Sequence, residues 1–383
     1  MQHSSDRILT THVGSLPRPQ AVVDHLFAED QGTAHNPSEF DAVMRDAVME
    51  VVAKQVAAGI DIVSDGEMSK ISYATYVRHR LTGFEIGDMP RATPRDLDDF
   101  PDYKDRLAKM GGTPKYHRPI CCGPIAVKTM EPLRKDIANM TAAVKAAGAR
   151  EGFMNAASPG VIAVFQPNTH YKTQEAYLGA LADAMRPEYE AITKAGLILQ
   201  IDAPDLAMGR HIRFRDVDDA EFLRNAWLQV EALNHALANV PADRVRIHLC
   251  WGNYEGPHHY DIGLEKIIDV VLAAKAQAIL FEGANPRHSH EWEVWKAAKI
   301  PGDKILVPGV IDSVTNFIEH PRLVAQRIET YAGIVGRERV MAGTDCGFGT
   351  FAGFGAIHPA IAYAKLATMT EGAALASRQL WQK

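Results

Sequence analysis

Short apolar segments alternate with longer amphipathic segments along almost the whole chain. In the longer segments the apolar residues recur every three or four positions, which predicts helices. The clearest of these are Asp41–Ala58, Asp219–Val240, Leu264–Ala274 and Arg322–Val335. The segments predicted as strands are Arg7–Gly14, Ile60–Ser64, Pro119–Val127, Gly196–Ile201, Val245–Leu249, Ala276–Phe281, Ile305–Val310 and Val340–Thr344. Since this alternation is typical of parallel sheets and no early glycine-rich nucleotide motif is present, we expect an α/β fold, a single-domain (β/α)8 TIM barrel over residues 1–383.

Two segments interrupt this alternation. Gly152–Phe165 has the apolar character of a ninth strand, but it contains Asn155, Pro159 and Gly160 and is interpreted as a loop-rich excursion. Met89–Lys115 is rich in Asp, Arg and Pro, and is predicted to form a lid or hairpin over the C-terminal face of the barrel.

The composition agrees with such a fold and excludes several classes of protein. The 383 residues are 46% hydrophobic and 23% charged, so a large core can form and extensive disorder is excluded. A net charge of −6 argues against electrostatic binding of nucleic acid. The polar start, Met1–Arg7, lacks the apolar core of a signal peptide, and no apolar run is long enough for a membrane span. Since it has only four cysteines, we expect a soluble cytoplasmic enzyme with free thiols, and the sequence leaves homo-oligomer formation open.

Polar residues capable of chemistry directly follow most of the predicted strands. In a parallel barrel the C-terminal ends of all strands meet at one face, where the active site lies. Residues that are scattered along the sequence are therefore expected to converge on one pocket. The set consists of Asp65, Glu67, Asp202, His248, Cys250, Glu282, Asp312, Asp345 and Cys346.

Four of these residues form a candidate zinc site. His248 and Cys250 are two positions apart on a strand, so their side chains point to the same side, and Glu282 and Cys346 end two other strands. One imidazole, two thiolates and one carboxylate suit tetrahedral Zn²⁺. The alternative is that the histidine and the cysteines are ordinary core residues, since cysteine is often buried. Two thiolates make zinc a weak Lewis acid, which favours ionisation of a substrate thiol over activation of water.

These segments resemble the catalytic barrel of the cobalamin-independent methionine synthase family. The similarity spans Ile8 to Gly349, with the ligand segments of the family in the same order. The matching segments are Thr10–Pro19, Asp65-Gly66-Glu67, Gln200–Pro204, His248-Leu249-Cys250, Leu280-Phe281-Glu282 and Asp345-Cys346-Gly347. The resemblance implies a (β/α)8 barrel and alkyl transfer to a zinc-bound thiol. It also implies that Gly152–Phe165 is an excursion between strands.

The resemblance further implies how a thiol substrate is held. In that family the residues matching Glu67 and Asp202 hold the amino group of homocysteine, and the segment matching Val13–Ser15 contacts its carboxylate, which assigns Val13 and Ser15 to substrate binding. From the residues alone, Glu67 and Asp202 can also be turn residues that face solvent. Their places at strand ends favour roles in the pocket.

Two departures from the family concern the group that is transferred. The Trp on which folate stacks falls on Met130, and the His that donates a proton falls on Val314. A pterin needs a flat partner and a departing amine needs a proton, so both changes argue against methyltetrahydrofolate as the donor.

The same zinc motif occurs in the related epoxyalkane:coenzyme M transferases, in which a zinc thiolate opens an epoxide. An alkoxide formed in this way needs a proton, and His258, His259 and Tyr254 follow Cys250 closely enough to be candidate catalytic residues. A sulfonate needs a cation, for which the candidates are Arg210, Arg213 and Lys128.

The leading hypothesis is therefore a zinc-dependent alkyl or methyl transferase that acts on a small thiol, of the homocysteine or coenzyme M type, with a separate alkyl donor. A metal-free barrel lyase of the uroporphyrinogen decarboxylase type is a second hypothesis, although it leaves His248, Cys250 and Cys346 unexplained. A non-catalytic protein with a structural zinc is a third, although structural sites usually gather their ligands in short loops.

Overall fold

The computed structural model describes residues 1–33, 36–87, 93–109, 118–353, 355 and 357–382. The strands are β1 (Leu9–Thr10), β2 (Ile62–Ser64), β3 (Phe84–Ile86), β4 (Pro119–Cys121), β5 (Glu151–Ala157), β6 (Ile198–Asp202), β7 (Val245–His248), β8 (Ala278–Phe281), β9 (Ile305–Ile311) and β10 (Met341–Thr344). Eight of them form one parallel sheet in the order β1-β10-β9-β8-β7-β6-β5-β2. The expected (β/α)8 TIM barrel is confirmed.

The helices follow the strands and cover the outside of the barrel. They are α1 (Gln20–Asp30), α2 (Pro37–Ala57), α3 (Pro101–Lys109), α4 (Glu131–Ala147), α5 (Pro159–Phe165), α6 (Gln174–Lys194), α7 (Gly209–Ile212), α8 (Asp219–Ala236), α9 (Leu264–Leu272), α10 (Trp292–Ala297), α11 (Pro321–Val335) and α12 (Pro359–Trp381). One hydrophobic cluster packs between helices and strands. A second cluster, which includes Leu9, Phe153 and Val307, fills the barrel interior. In the described part of the chain, no helix combines the length and the apolar character that a membrane span requires.

The barrel closes between β1 and β2 by a seam that is not a regular ladder. The Asp61 amide donates to the Thr10 carbonyl at 3.2 Å. The Thr11 hydroxyl donates to the Ile62 carbonyl at 3.0 Å, and the Asp61 carboxylate accepts from the Thr10 amide at 3.0 Å. Side chains thus help to join β1 to β2, whereas backbone hydrogen bonds join the other neighbouring strands of the sheet.

The interpretation of Gly152–Phe165 as an excursion is wrong. Residues 151–157 form β5, which pairs with both β2 and β6 and is buried from its second residue onward. The apparent loop signals begin the next element instead. Ser158 caps α5 by accepting a hydrogen bond from the Val161 amide, and Pro159 occupies the first turn, where a missing N–H has no cost.

The prediction of Pro119–Val127 as a barrel strand is also wrong. Only Pro119–Cys121 is extended, and it pairs in antiparallel fashion with Phe84–Ile86 in a separate two-stranded sheet. The two errors compensate, so the expected number of barrel strands is correct. The other strand predictions are confirmed within a few residues, although of Arg7–Gly14 only Leu9–Thr10 is strand.

The predicted excursion Met89–Lys115 is described in its central part, since residues 88–92 and 110–117 lie outside the described ranges. That part contains a 3-10 turn, Arg95–Asp98, followed by α3. Arg95 donates to the Arg215 carbonyl at 3.2 Å, and Asp96 accepts from the His258 amide at 2.8 Å. The central part of the excursion therefore packs on loops that follow β6 and β7, at the C-terminal face.

Candidate active site

Three side chains from two strand ends meet inside the C-terminal mouth of the barrel. His248 is the last residue of β7, Cys250 follows it by two positions, and Cys346 lies two positions beyond the end of β10. One ligand atom from each lies within 4.8 Å of the others, and all three residues are buried. The two Sγ atoms are 3.8 Å apart, which is too far for a disulfide, so both thiols are free.

This cluster has the dimensions of a zinc site. Two sulfurs that each lie about 2.3 Å from a tetrahedral zinc are separated by about 3.8 Å. The distance between Cys250 Sγ and Cys346 Sγ is 3.8 Å. Nitrogen and sulfur donors of this kind, held together away from solvent, suit Zn²⁺ better than hard cations such as Mg²⁺ or Ca²⁺. The residues present therefore fit the metal that the sequence predicts.

The electrostatics of the cluster favour a thiolate. A hydrogen bond from Cys250, together with His248, lowers the pKa of Cys346 to about 6 in spite of burial. Burial acts to lower the pKa of His248, but Asp202 and Cys346 outweigh it and raise the value to about 10. The Gly252 amide also donates to Cys250 Sγ at 3.1 Å. The cluster therefore holds negative charge on sulfur even without a metal.

Glu282, the fourth predicted ligand, follows β8 but is not one of these three convergent groups. Its Oε1 accepts from the Trp251 amide at 2.8 Å. Its Oε2 accepts from Asn285 Nδ2 at 2.7 Å and from the Arg287 guanidinium at 2.6 Å. In this conformation the carboxylate is directed to Arg287, yet its charge still acts to raise the pKa of Cys250.

The predicted substrate-binding residues line the same cavity as the cluster of His248, Cys250 and Cys346. Val13, Ser15, Glu67 and Asp202 all lie on its wall, together with His248, Cys250 and Cys346. The barrel topology thus brings together residues that are far apart in the sequence.

The two carboxylates on this wall differ in their partners. Asp202 accepts hydrogen bonds from Asn155 at 2.9 Å and from Gln200 at 2.8 Å. Glu67 is 3% exposed, and its Oε2 has no hydrogen-bond partner among the described residues. Burial, reinforced by the charge of Asp202, raises the pKa of Glu67 to about 8, although Lys70 opposes the change. A buried carboxyl group without a partner is well suited to receive a cationic or hydrogen-bonding group of a ligand.

Close backbone packing builds this wall. Gly14 has a φ of +138°, and a Cβ there would lie 2.2 Å from Asn155 Oδ1, so only glycine fits. A Cβ on Gly347 would lie 1.9 Å from the Ser15 hydroxyl oxygen. Glu67 itself has a φ of +56°, a strained conformation for a residue with a side chain. Glu67 in this conformation lines the cavity.

Several residues of the cavity wall were missed at the level of sequence. They are Tyr73, Phe165, Pro204, Met208, Gly252, Asn253, Gly347, Thr350 and Phe351. Asn253 carries a usable signal, because it follows Cys250 by three residues at the same strand end. Tyr73 and Phe165 carry none, since each is an aromatic residue in a connection whose path the sequence does not reveal.

The predicted proton donors lie away from this wall. The Tyr254 hydroxyl donates to Asp96 at 2.5 Å, and the His258 ring lies 3.0 Å from Asp261. His259 is partly exposed and pairs with Asp99 at 2.8 Å. None of the three is among the described residues that line the cavity.

The candidate cations for a sulfonate are also elsewhere. Arg210 pairs with Asp219 at 2.8 Å, and Lys128 lines a separate surface cavity. Arg213, the third candidate, is not part of the wall, and among the described lining residues there is no Lys or Arg.

Comparison with known proteins agrees with the fold and shows the family. Residues 159–373 match the model of the cobalamin-independent synthase, catalytic domain family. The chain belongs to this family. The matched region contains Asp202, His248, Cys250, Glu282 and Cys346, whereas Glu67 and the Val13–Ser15 segment precede it.

The similarity to curated relatives extends over the full barrel. The chain is 26% identical over 378 residues to a methionine synthase of Saccharolobus solfataricus, covering 98% of this chain and 96% of that protein. It is 25% identical over 381 residues to a methionine synthase of Sulfolobus acidocaldarius, covering 98% and 94%. The solved structure of a B12-independent methionine synthase from Shewanella sp. W3-18-1, in complex with selenomethionine, superposes with a TM-score of 0.74 at 18% identity, covering 98% and 99%. This last likeness supports the fold.

Proposed function

We propose that this protein is a zinc-dependent transferase that moves a methyl group, or another small alkyl group, to the sulfur of an amino-thiol. The observation that carries the proposal is the shared cavity, in which a buried His–Cys–Cys cluster lies beside two buried carboxylates. Membership of the cobalamin-independent synthase family and the methionine synthases among its relatives support a methyltransferase-like role.

His248, Cys250 and Cys346 would hold Zn²⁺, with Glu282 as a fourth ligand that can be exchanged. When bound, zinc supplies a Lewis acid that lowers the pKa of a substrate thiol and keeps it nucleophilic near neutral pH. Glu282 is the natural ligand to leave, because Arg287 and the Trp251 amide already accommodate its carboxylate. The Gly252 amide, which donates to Cys250 Sγ, would help to hold this sulfur in position if the carboxylate of Glu282 were exchanged.

The two carboxylates select the other end of the thiol substrate. Glu67 and Asp202 would hold a protonated amino group, which adds a cation on the cavity side of two buried carboxylates whose repulsion Lys70 offsets only in part. Val13 and Ser15 would bind the carboxylate of the same substrate. This arrangement favours homocysteine or a closely related amino-thiol.

A sulfonate-bearing thiol such as coenzyme M fits this wall less well. Its negative end would face Glu67 and Asp202, and no Lys or Arg lies among the described lining residues to offset that repulsion. The donor is a separate question. Met130 and Val314 replace the aromatic and proton-donating residues that folate chemistry uses, which favours a small donor that is already activated.

The decisive experiment combines metal analysis with thiol binding. The zinc-loaded protein is mixed with homocysteine or with coenzyme M, and zinc coordination is followed by X-ray absorption. A gain of one sulfur neighbour with homocysteine, at concentrations where coenzyme M has no effect, supports the proposal. Zinc that keeps the same neighbours with both thiols contradicts it, because the metal would then be structural.

A further inference from the structure

A second group of convergent side chains lies outside the cavity. His211 on α7 and His258 and Asp261 in the loop after β7 bring two ring nitrogens and a carboxylate oxygen within 4.8 Å of one another. The His211 ring is 2% exposed and the Asp261 side chain 8% exposed. None of these three residues lines the cavity of the His248, Cys250 and Cys346 cluster.

No well-aligned hydrogen bond among the described residues accounts for His211. Its Nδ1 lies 3.1 Å from Asp261 Oδ1, yet the contact lacks the alignment of a hydrogen bond. Neither ring nitrogen has a hydrogen-bond partner among the described residues, although the ring is buried. Buried polar groups are normally satisfied, so such a ring directed at a carboxylate indicates a missing ligand.

The contacts of the two ring nitrogens of His258 lead to the same conclusion. Its Nε2 lies 3.1 Å from the Tyr254 carbonyl oxygen, which can only accept, so Nε2 carries the hydrogen. In the neutral ring, Nδ1 is then a bare lone pair that faces the Asp261 carboxylate at 3.0 Å. Two acceptors at this distance repel each other unless a cation lies between them.

We infer that His211, His258 and Asp261 form a second metal site, for a divalent transition ion bound through nitrogen and oxygen. Ligand atoms that each lie about 2.1 Å from one ion are about 3 Å apart. Asp261 Oδ1 lies 3.1 Å from the Nδ1 atom of His211 and 3.1 Å from the Nδ1 atom of His258. Two histidines and one carboxylate form a set that leaves coordination positions open, as in sites for Fe²⁺, Mn²⁺ or Zn²⁺.

The cluster borders a cavity of about 220 Å³, whose wall includes His211 and Asp261. Arg95, Arg210 and Lys266 lie on the same wall, together with Asp219, which pairs with both Arg210 and Lys266. The charges of this wall are therefore largely paired, which suits water on the ion. Asp261 also accepts from Arg287 and from His288, each at 3.1 Å, so its orientation is fixed whether or not the metal is bound.

Cobalt(II) distinguishes this site from the sulfur cluster, because thiolate ligands give intense charge-transfer bands and nitrogen–oxygen sites do not. The test uses the full chain, stripped with a chelator and reloaded with Co²⁺, and measures metal content and absorption. We expect two ions per chain in the wild type. The double variant Cys250→Ser, Cys346→Ser should keep one ion with weak visible bands and no charge transfer.

His211→Ala should lose one ion and keep the charge-transfer bands, and His211→Gln serves if the alanine variant does not fold. The matched control is His235→Ala, since His235 is an exposed histidine that also contacts a carboxylate, Asp183, at 2.8 Å. It should keep both ions. One ion per chain in the wild type, with unchanged content in His211→Ala and His211→Gln, overturns the inference and makes the cluster an imidazolium–carboxylate network. Because the cysteine and histidine variants are scored separately, failure of one site does not imply failure of the other.

Discussion

Cys250 Sγ and Cys346 Sγ lie 3.8 Å apart, although 96 positions separate the two residues in the chain. Two different strands, β7 and β10, bring them together. Neither sulfur forms a disulfide, and His248 completes the group. This is the spacing of two sulfurs on one tetrahedral zinc. The first prediction follows from it.

Replacement of either cysteine by serine should remove the zinc. Substitution of a residue that only supports a metal ligand usually lowers metal affinity by about 10- to 100-fold. We expect Cys250→Ser and Cys346→Ser to lower zinc affinity by more than this. Cys122→Ser is the matched control, because Cys122 is exposed and should leave zinc content unchanged. Zinc content by mass spectrometry is the measurement. Full zinc content in either variant would refute the ligand assignment.

Replacement of Glu67 by glutamine should weaken binding of an amino-thiol while zinc is retained. A charged hydrogen bond contributes about 1.5–3 kcal/mol, which corresponds to about a 10- to 100-fold higher Kd for homocysteine. Asp202→Asn should act in the same direction. A simple thiol that has no amino group is the control ligand, and its Kd should not change. Equal losses for both thiols would mean that the carboxylates support the metal rather than the amino group.

The stability of Glu67→Gln relative to the wild type should depend on pH. Burial raises the pKa of Glu67 to about 8 from an ordinary value of 4.5. The folded protein therefore keeps a proton that the unfolded chain releases, and this contribution to stability is complete below pH about 4.5, declines as the pH rises and is lost above about 8. Glutamine does not titrate. As the pH rises across this interval, the free energy of unfolding of the variant should therefore increase relative to that of the wild type.

The measurement is denaturant unfolding of both substrate-free proteins at several pH values. Glu293→Gln, at an exposed position on α10, provides the baseline. A difference between Glu67→Gln and the wild type that is the same at every pH would contradict the raised pKa.

Glu282→Gln should be the mildest of the ligand variants. Because the carboxylate already pairs with Arg287, we expect zinc content to remain and zinc affinity to fall by less than about 10-fold. Chelator competition measures this. If Glu282→Gln lost zinc as completely as Cys250→Ser, the carboxylate would be a permanent ligand and its pairing with Arg287 would not persist in the loaded protein.

Methionine formation from methyltetrahydrofolate should be slow or undetectable, and a small activated electrophile should alkylate the thiol faster. Met130 and Val314 supply neither a stacking surface nor a proton. The measurement is product formation from homocysteine with each donor. Turnover of about 1 per second or more with methyltetrahydrofolate would contradict this prediction. In that case Tyr73 and Phe165 would be the candidates for a stacking surface. Their ring centroids lie 6.3 Å apart in an edge-to-face pair on the cavity wall.

The class of fold could be predicted from periodicity, but the identity of one barrel strand could not. Apolar runs such as Ile198–Asp202 and Ala278–Phe281 are bounded by helices, which makes their role plain. In Glu151–Ala157 the polar Asn155 points into the barrel, where it donates to the Val13 carbonyl at 2.9 Å. A polar residue inside a strand looks like a loop signal until its partner is known. Pro119–Cys121 has the right composition for a barrel strand, but it pairs with Phe84–Ile86 in antiparallel fashion, and the sequence does not reveal this pairing.

The convergence of His248, Cys250 and Cys346 with the two carboxylates could be predicted because these residues stand at strand ends, and barrel geometry gathers strand ends together. His258 and Tyr254 are close to Cys250 in sequence, yet they lie behind Gly252 rather than on the cavity wall. A Cβ on Gly252 would lie 3.5 Å from the His258 ring and 3.4 Å from the Tyr254 ring. Sequence distance does not determine on which side of a loop a ring lies, so their interaction with Asp96 and Asp261 was not foreseeable.

The seam joins β1 to β2 partly through side chains, and the Val13–Ser15 segment and Glu67 follow these two strands. His248 and Cys250 instead follow β7, which backbone ladders join to β6 on one side and to β8 on the other. Local opening should therefore begin near Val13, Ser15 and Glu67, while His248 and Cys250 stay in place. In hydrogen exchange, amides beside the seam would exchange before those of β7 and β8, and a product could depart through this breathing without loss of the metal.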